Sequence, residues 1–123
     1  FQIPPMVSAV KMAGVPLYKL ARKGKVVERE PRLIHVYEFK LLKFELPAAE
    51  FVLKCTKGVY VRTLCNDIGD VLGCGAHLSQ LRRTQSGEMK IENATQMDDI
   101  MRMTNEELVK KIIPMLKFSL QGE

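Results

Sequence analysis

Tryptophan is absent from this 123-residue chain, and histidine occurs only twice. His35 and His77 stand far apart with no nucleophile motif between them, so a self-contained Ser-His-Asp or Cys-His site lacks its parts. There is no G-x-S-x-G, no glycine-rich phosphate loop and no helix with paired metal-ligand histidines. The three cysteines, Cys55, Cys65 and Cys74, cannot all pair with one another. With no signal-peptide pattern either, this points to a cytoplasmic, reducing setting. Cys74 and His77 are spaced C-x-x-H, but Cys55 and Cys65 lack any paired-knuckle spacing, so no metal site is expected. No apolar run approaches the roughly 18 residues of a membrane span, and no membrane association is expected. The sequence opens on Phe1 instead of Met, from which we expect an excerpt of a longer protein.

What is present is ordinary globular material, 46% hydrophobic and 27% charged, which excludes a disordered chain. The length suits one domain with a core, and no linker or repeat interrupts it. The net charge of +5 is unevenly spread: Lys and Arg outnumber Asp and Glu through residues 1–90, and the balance reverses over 91–123. A basic body with a mildly acidic tail fits a phosphate-rich partner.

"PPMVSAVK" (4–11) reads as a short strand entered from a rigid Pro-Pro corner. Gly14 and Pro16 turn the chain into "LYKLARKG", a two-turn helix with Pro16 first and Gly24 at its end. Residues 32–46 form the clearest strand. Tyr37, Phe39 and Leu41 alternate with charged residues, then the phase slips to Leu42, Phe44 and Leu46, and the doubled leucine predicts a bulge. "LPAAE" turns the chain, and Phe51, Leu53 and Cys55 return as an antiparallel partner. Residues 61–72 take helical spacing, with Leu64, Ile68, Val71 and Leu72 on one stripe, and "GCGAH" ends that helix. "HLSQLRRTQSG" (77–87) reads as strand. "TNEE" (104–107) is a capping box opening a helix that runs to Ile113 and stops at Pro114. The fold class is α+β, a mostly antiparallel mixed sheet flanked by helices.

Few residues offer chemistry. Asp67 and Asp70 share a helix side, but a solvated face explains them more simply. His35 reads as a strand filler and His77 as a turn residue. "KGVYVRTL" (57–64) stands apart, because Arg62 falls where strand gives way to helix, two residues after Tyr60. A cation gains nothing from a helix N-terminus. Either Arg62 meets an anion through its planar fork or it is an ordinary strand-end charge.

"QIPPMVSAVKMAGVPLYKLARKG" followed by "CTKGVYVRTLCNDIGDVLGCGAHLSQLRRTQSG" resembles the bacterial tRNA pseudouridine synthase B (TruB) family. The likeness is strong over 2–87, and 88–123, with "ENATQMDDI" and "IIPMLKF", is similar to that family's helical connector. The resemblance implies that residues 1–123 are part of a pseudouridine synthase catalytic domain, its C-terminal half. It implies isomerisation of a T-loop uridine in tRNA, with no metal or organic cofactor and with the flipped base held in a pocket. By resemblance, Arg62 pairs with the nucleophilic aspartate, Tyr60 lies near the base, and Leu81 is the apolar wall. Lys11, Arg22, Lys23, Lys57, Arg82 and Arg83 would face the tRNA. That aspartate belongs to a Leu-Asp-Pro loop upstream of the Q-x-P-P block, and Asp67, Asp70, Asp98 and Asp99 have no such context. We therefore expect the missing N-terminal half to be a partner, and the chain alone to be inactive. A non-catalytic RNA-binding module and an RNA-guided ribosomal RNA synthase of archaeal or eukaryotic type are the alternatives.

Overall fold

The computed structural model of the chain describes residues 1–8 and 10–114. Ala9, inside the expected strand 4–11, and residues 115–123, which hold the end of "IIPMLKF", lie outside the described residues. Where the sequence reads as one continuous unit, the structure holds two, Phe1–Ser79 and the part from Gln80 on.

In the first unit, β1 (Lys11–Met12) and β2 (Val15–Pro16) form a minimal antiparallel hairpin. Its turn places Ala13 at φ 51 and Gly14 at φ 79. Two successive left-handed residues are what a two-residue hairpin loop requires. The expected strand over 4–11 is thus cut back to Lys11 and extended to Met12. Pro4 and Pro5 have no amide to give a ladder, and residues 6–8 bend. β2 leads directly into α1 (Leu17–Arg22), with Pro16 as its N-cap, one place earlier than expected. Two amides that a helix start leaves unpaired find acceptors in the preceding segment. Leu17 N–H donates to the Val10 carbonyl at 2.7 Å and Tyr18 N–H to the Ser8 carbonyl at 2.9 Å. Leu17 itself is fully buried.

β3 (Val36–Glu45) and β4 (Ala48–Cys55) make a long antiparallel hairpin. Its register shifts between Leu41 and Lys43, leaving Leu42 unpaired at the doubled leucine where a bulge was expected. A second shift falls at Tyr37. Only Leu46 and Pro47, joined by a cis peptide, separate the strands, a shorter turn than "LPAAE" implied. The strand starts at Val36, four residues later than expected, because Arg32 pairs instead with Gln2 through two 2.7 Å backbone bonds. Phe39 and Phe51 stack across the strands at 4.7 Å. At the open end Thr56 N–H donates to the His35 carbonyl at 2.9 Å, and His35 N–H donates to Thr56 Oγ1 at 3.1 Å.

α2 (Val61–Leu72) has its expected bounds. Its buried residues are Cys65 and Gly69, whereas Val71 and Leu72 of the expected stripe are 88% and 71% exposed. Gly73 closes the helix at φ 81, a conformation that glycine adopts without Cβ strain.

In the second unit the expected strand 77–87 shrinks to β5 (Gln85–Ser86), paired with β6 (Met89–Lys90). Residues 77–84 pair with no strand among the described residues. A 3-10 turn (Ile91–Asn93) precedes α3 (Met97–Arg102) and α4 (Asn105–Lys111). Thr104 and Glu107 form the reciprocal capping box, Glu107 N–H to Thr104 Oγ1 at 3.3 Å and Thr104 N–H to Glu107 Oε2 at 3.2 Å. α4 ends at Lys111, short of the expected Ile113. Pro114 disfavours helical backbone at the residue before it, and Ile112 is already extended.

The class is α+β and every strand pair is antiparallel, in three two-stranded sheets rather than one mixed sheet among the described residues. No helix of these residues is long and apolar enough to cross a membrane. Much apolar side-chain surface, Tyr37, Leu41, Leu42 and Phe44 of the hairpin included, is uncovered. Replacing Leu17 by alanine is expected to cost about 2–5 kcal/mol. Val71→Ala should stay within about 0.5 kcal/mol. Urea unfolding midpoints of the two variants check the contrast.

Candidate functional site

Gln2 organises the first unit. It is 3% exposed, and its amide spans both polar groups of one residue's backbone. Gln2 Nε2 donates to the Tyr60 carbonyl at 2.9 Å, while Tyr60 N–H donates to Gln2 Oε1 at 2.9 Å. Gln2's own backbone pairs with Arg32, so one residue ties together the start of the chain, the segment before β3 and the start of α2. Tyr60 is the N-cap of α2 and offers no side-chain cap. The clasp fixes the angle at which α2 leaves it, and thereby the direction of the next turn.

The start of α2 carries Arg62 and Thr63, and Asn66 follows four residues after the first and three after the second, close to both on the helix surface. They line an open cleft of about 480 Å³. Ile3 and Pro5 form its apolar margin, and Arg29 brings a second guanidinium. Arg29 Nη1 donates to the Pro4 carbonyl at 3.1 Å, while its Nε is buried and finds no acceptor. An orphaned buried donor costs about 1–3 kcal/mol. Ala76 and His77, from the loop after α2, complete the lining.

Gly69 makes that loop's approach feasible. Gly75 N–H donates to the Gly69 carbonyl at 3.0 Å. A Cβ on residue 69 would collide with the Gly75 and Ala76 backbone and lie 2.7 Å from the Ala76 Cβ. Only glycine lets the loop lie on the helix and bring His77 to the cleft.

The electrostatics are one-sided. Two guanidinium groups line the cleft and no carboxylate does. The first turn of α2 holds no acidic residue, so the helix dipole adds positive potential at the same end. Arg62 is exposed and makes no ion pair among the described residues. The arrangement can accept an anion from outside the unit, bound through planar forks.

Of the residues singled out in the sequence, Tyr60 and Arg62 both stand at the start of α2, but only Arg62 lines the cleft, while Tyr60 is half-buried as the N-cap. Lys11, Arg22, Lys23 and Lys57 are exposed in the same unit. Arg22 lies over the Tyr18 ring at 5.3 Å. Leu81, Arg82 and Arg83 belong to the second unit and are exposed. Asp70 is exposed and accepts from Asn66 Nδ2 at 3.2 Å, as a solvated helix face allows. Gln2, Arg29 and Gly69 escaped sequence reasoning. For Gln2 and Gly69 the signals were a glutamine before Pro-Pro and a lone glycine inside a helical pattern.

Among the described residues, no three His, Cys, Asp or Glu side chains gather as a metal ion would require. All three cysteines are free. Burial pushes the Cys65 thiol above its ordinary value, whereas Cys74 is exposed.

Fold and site thus define an α+β unit with a cationic cleft at a helix start, open to an incoming anion. Comparison with known proteins identifies its kind. The model for the TruB family pseudouridylate synthase N-terminal domain matches residues 1–61, and that for the tRNA pseudouridylate synthase B C-terminal domain matches 62–117. The two matches meet inside α2. The tRNA pseudouridine synthase B of Opitutus terrae is 54% identical over 114 residues, covering 93% of this chain and 47% of that protein. Those of Francisella philomiragia and Pseudomonas aeruginosa are 50% and 52% identical, covering 90% and 83% of this chain and 37% and 34% of their own lengths. The chain belongs to the TruB pseudouridylate synthase family. It spans less than half the length of these relatives.

Replacing Gln2 by alanine leaves the Tyr60 amide without its acceptor, at about 1–3 kcal/mol. Faster hydrogen exchange at Tyr60, at unchanged exchange in α4, is the expected signature. With a maleimide at neutral pH, Cys74 is expected to react first and Cys65 only after unfolding; peptide mapping by mass spectrometry checks the order.

Proposed function

We propose that this chain is the part of a tRNA pseudouridine synthase that supplies the arginine side of the uridine pocket. The carrying observation is Arg62, set in a cleft lined by two guanidinium groups and no carboxylate, with no ion pair among the described residues. The names of the relatives, each a tRNA pseudouridine synthase B, support the reaction assigned. The acidic group that Arg62 receives is a nucleophilic aspartate from the N-terminal half of the enzyme. Beside a guanidinium and away from bulk water, that carboxylate stays ionised and fixed in direction, as an attacking group must. The uridine enters flipped from the T-loop, unstacked from its neighbours. Tyr60 flanks the base, and Leu81 forms the apolar wall. Arg62 holds the attacking carboxylate while the glycosidic bond breaks and the base reattaches through carbon.

Lys11, Arg22, Lys23, Lys57, Arg82 and Arg83 form the tRNA-facing charge in this reading. All six are exposed and free to meet phosphate. The enzyme works in the cytoplasm, where Cys55, Cys65 and Cys74 remain thiols.

The chain alone, lacking an aspartate in a Leu-Asp-Pro context, is expected to leave uridine unchanged. Tritium release from a tRNA transcript labelled at uridine C5 measures this, and release by the chain alone would defeat the reading. Binding to that transcript is expected to weaken steeply as salt rises, because each neutralised phosphate frees counterions. Charge reversal at Arg82 and Arg83 should lower affinity, and reversal at Asp98 and Asp99 should leave it nearly unchanged. Equal losses from the two pairs would remove the proposed binding face.

A further inference from the structure

Arg29 is a second guanidinium in the Arg62 cleft, and the single carboxylate proposed above leaves it unanswered. One of its donors binds the Pro4 carbonyl, and its Nε is buried without an acceptor. Nothing acidic lines the cleft to neutralise it. The cleft is open to solvent and, at about 480 Å³, has room for more than one carboxylate. The polar lining on α2 is suited to an oxygen-rich group: Thr63 brings a hydroxyl in the uncapped first turn, where the helix dipole favours an anion, and Asn66, in the second turn, brings an amide that gives one hydrogen to Asp70 at 3.2 Å and keeps another. The apolar margin of Ile3 and Pro5 leaves these donors as the polar side of the cleft.

We propose that Arg29 is an RNA-contacting residue that holds a backbone phosphodiester in this cleft while Arg62 holds the carboxylate. The proposal rests on the reading of the chain as part of a tRNA-modifying enzyme. A phosphodiester is the occupant that fits, since it carries one full charge and presents oxygens to the edge of the Arg29 guanidinium that Pro4 does not occupy and to the Thr63 and Asn66 donors. Its attached ribose would lie against Ile3 and Pro5. Arg29 positions the strand and takes no part in bond making.

The test is the affinity of the chain for a tRNA transcript, measured by fluorescence anisotropy across a salt series. Arg29→Gln is expected to make the slope of log affinity against log salt shallower by about 0.9, roughly an eightfold loss of affinity at 0.1 M salt. Arg29→Lys should keep the slope, because it retains the charge. Asn66→Asp, at an exposed position, sets a carboxylate in the same cleft and should also flatten the slope; it decides the matter if Arg29→Gln does not fold. An unchanged slope in folded Arg29→Gln, or in Asn66→Asp, would overturn the inference. In that case Arg29 serves only to brace Pro4 or shares the Arg62 carboxylate. Absence of salt-dependent binding by the unsubstituted chain would overturn the proposed function with it, so the two failures are separable.

Discussion

One side-chain amide sets the geometry of the site. Gln2 satisfies both polar groups of the Tyr60 backbone, from a nearly solvent-free position. A glutamine suits this task because its amide carries donor and acceptor side by side, matching a peptide unit. Glutamate would face the Tyr60 carbonyl with a second acceptor, and a shorter side chain would not reach. Since Tyr60 caps α2, the clasp aims Arg62, and Gln2 also pairs with Arg32, three residues beyond Arg29. Both guanidinium groups thus owe their position to the same short segment at the start of the chain.

Around that frame, charge is concentrated and left unanswered. Folding usually pairs its partly buried cations, because an unmet donor is expensive. Here a guanidinium nitrogen is buried without an acceptor, another guanidinium stands free of ion pairs among the described residues, and a helix start adds to both. In the proposed reading an incoming anion answers these groups. Arginine serves it better than lysine, since the fork stays charged under desolvation and imposes direction on an oxyanion.

Features with local causes were readable in the sequence. The helix 61–72, the bulge at the doubled leucine and the Thr104 capping box each follow from neighbours in the chain, and each is found. Arg62 stood out because a cation at a helix start contradicts the local rule, and it is found lining a cleft. Features whose partner is distant were not. Residues 77–84 have strand-like spacing but no strand beside them among the described residues, and propensity without a ladder does not make a strand. Val71 and Leu72 belong to the apolar stripe by periodicity, yet burial follows what packs on the helix; the folded-back loop lies on Gly69, and Cys65 is buried while Val71 and Leu72 are not. Arg29 has no local signal in the sequence; the Gln2–Arg32 pairing sets its segment beside residues 1–5.

The Gln2–Tyr60 clasp joins residues 58 positions apart, whereas the β3–β4 hairpin closes over two. A hairpin assembles in about 1–10 μs, and long loops pay a larger closure entropy before any contact rewards them. The hairpin is therefore an early event, and the arginine cleft forms only when the most separated parts of the unit have met. A partly folded chain carries the same cations without their common cleft, so the cleft is complete only once the separated segments of the first unit have joined.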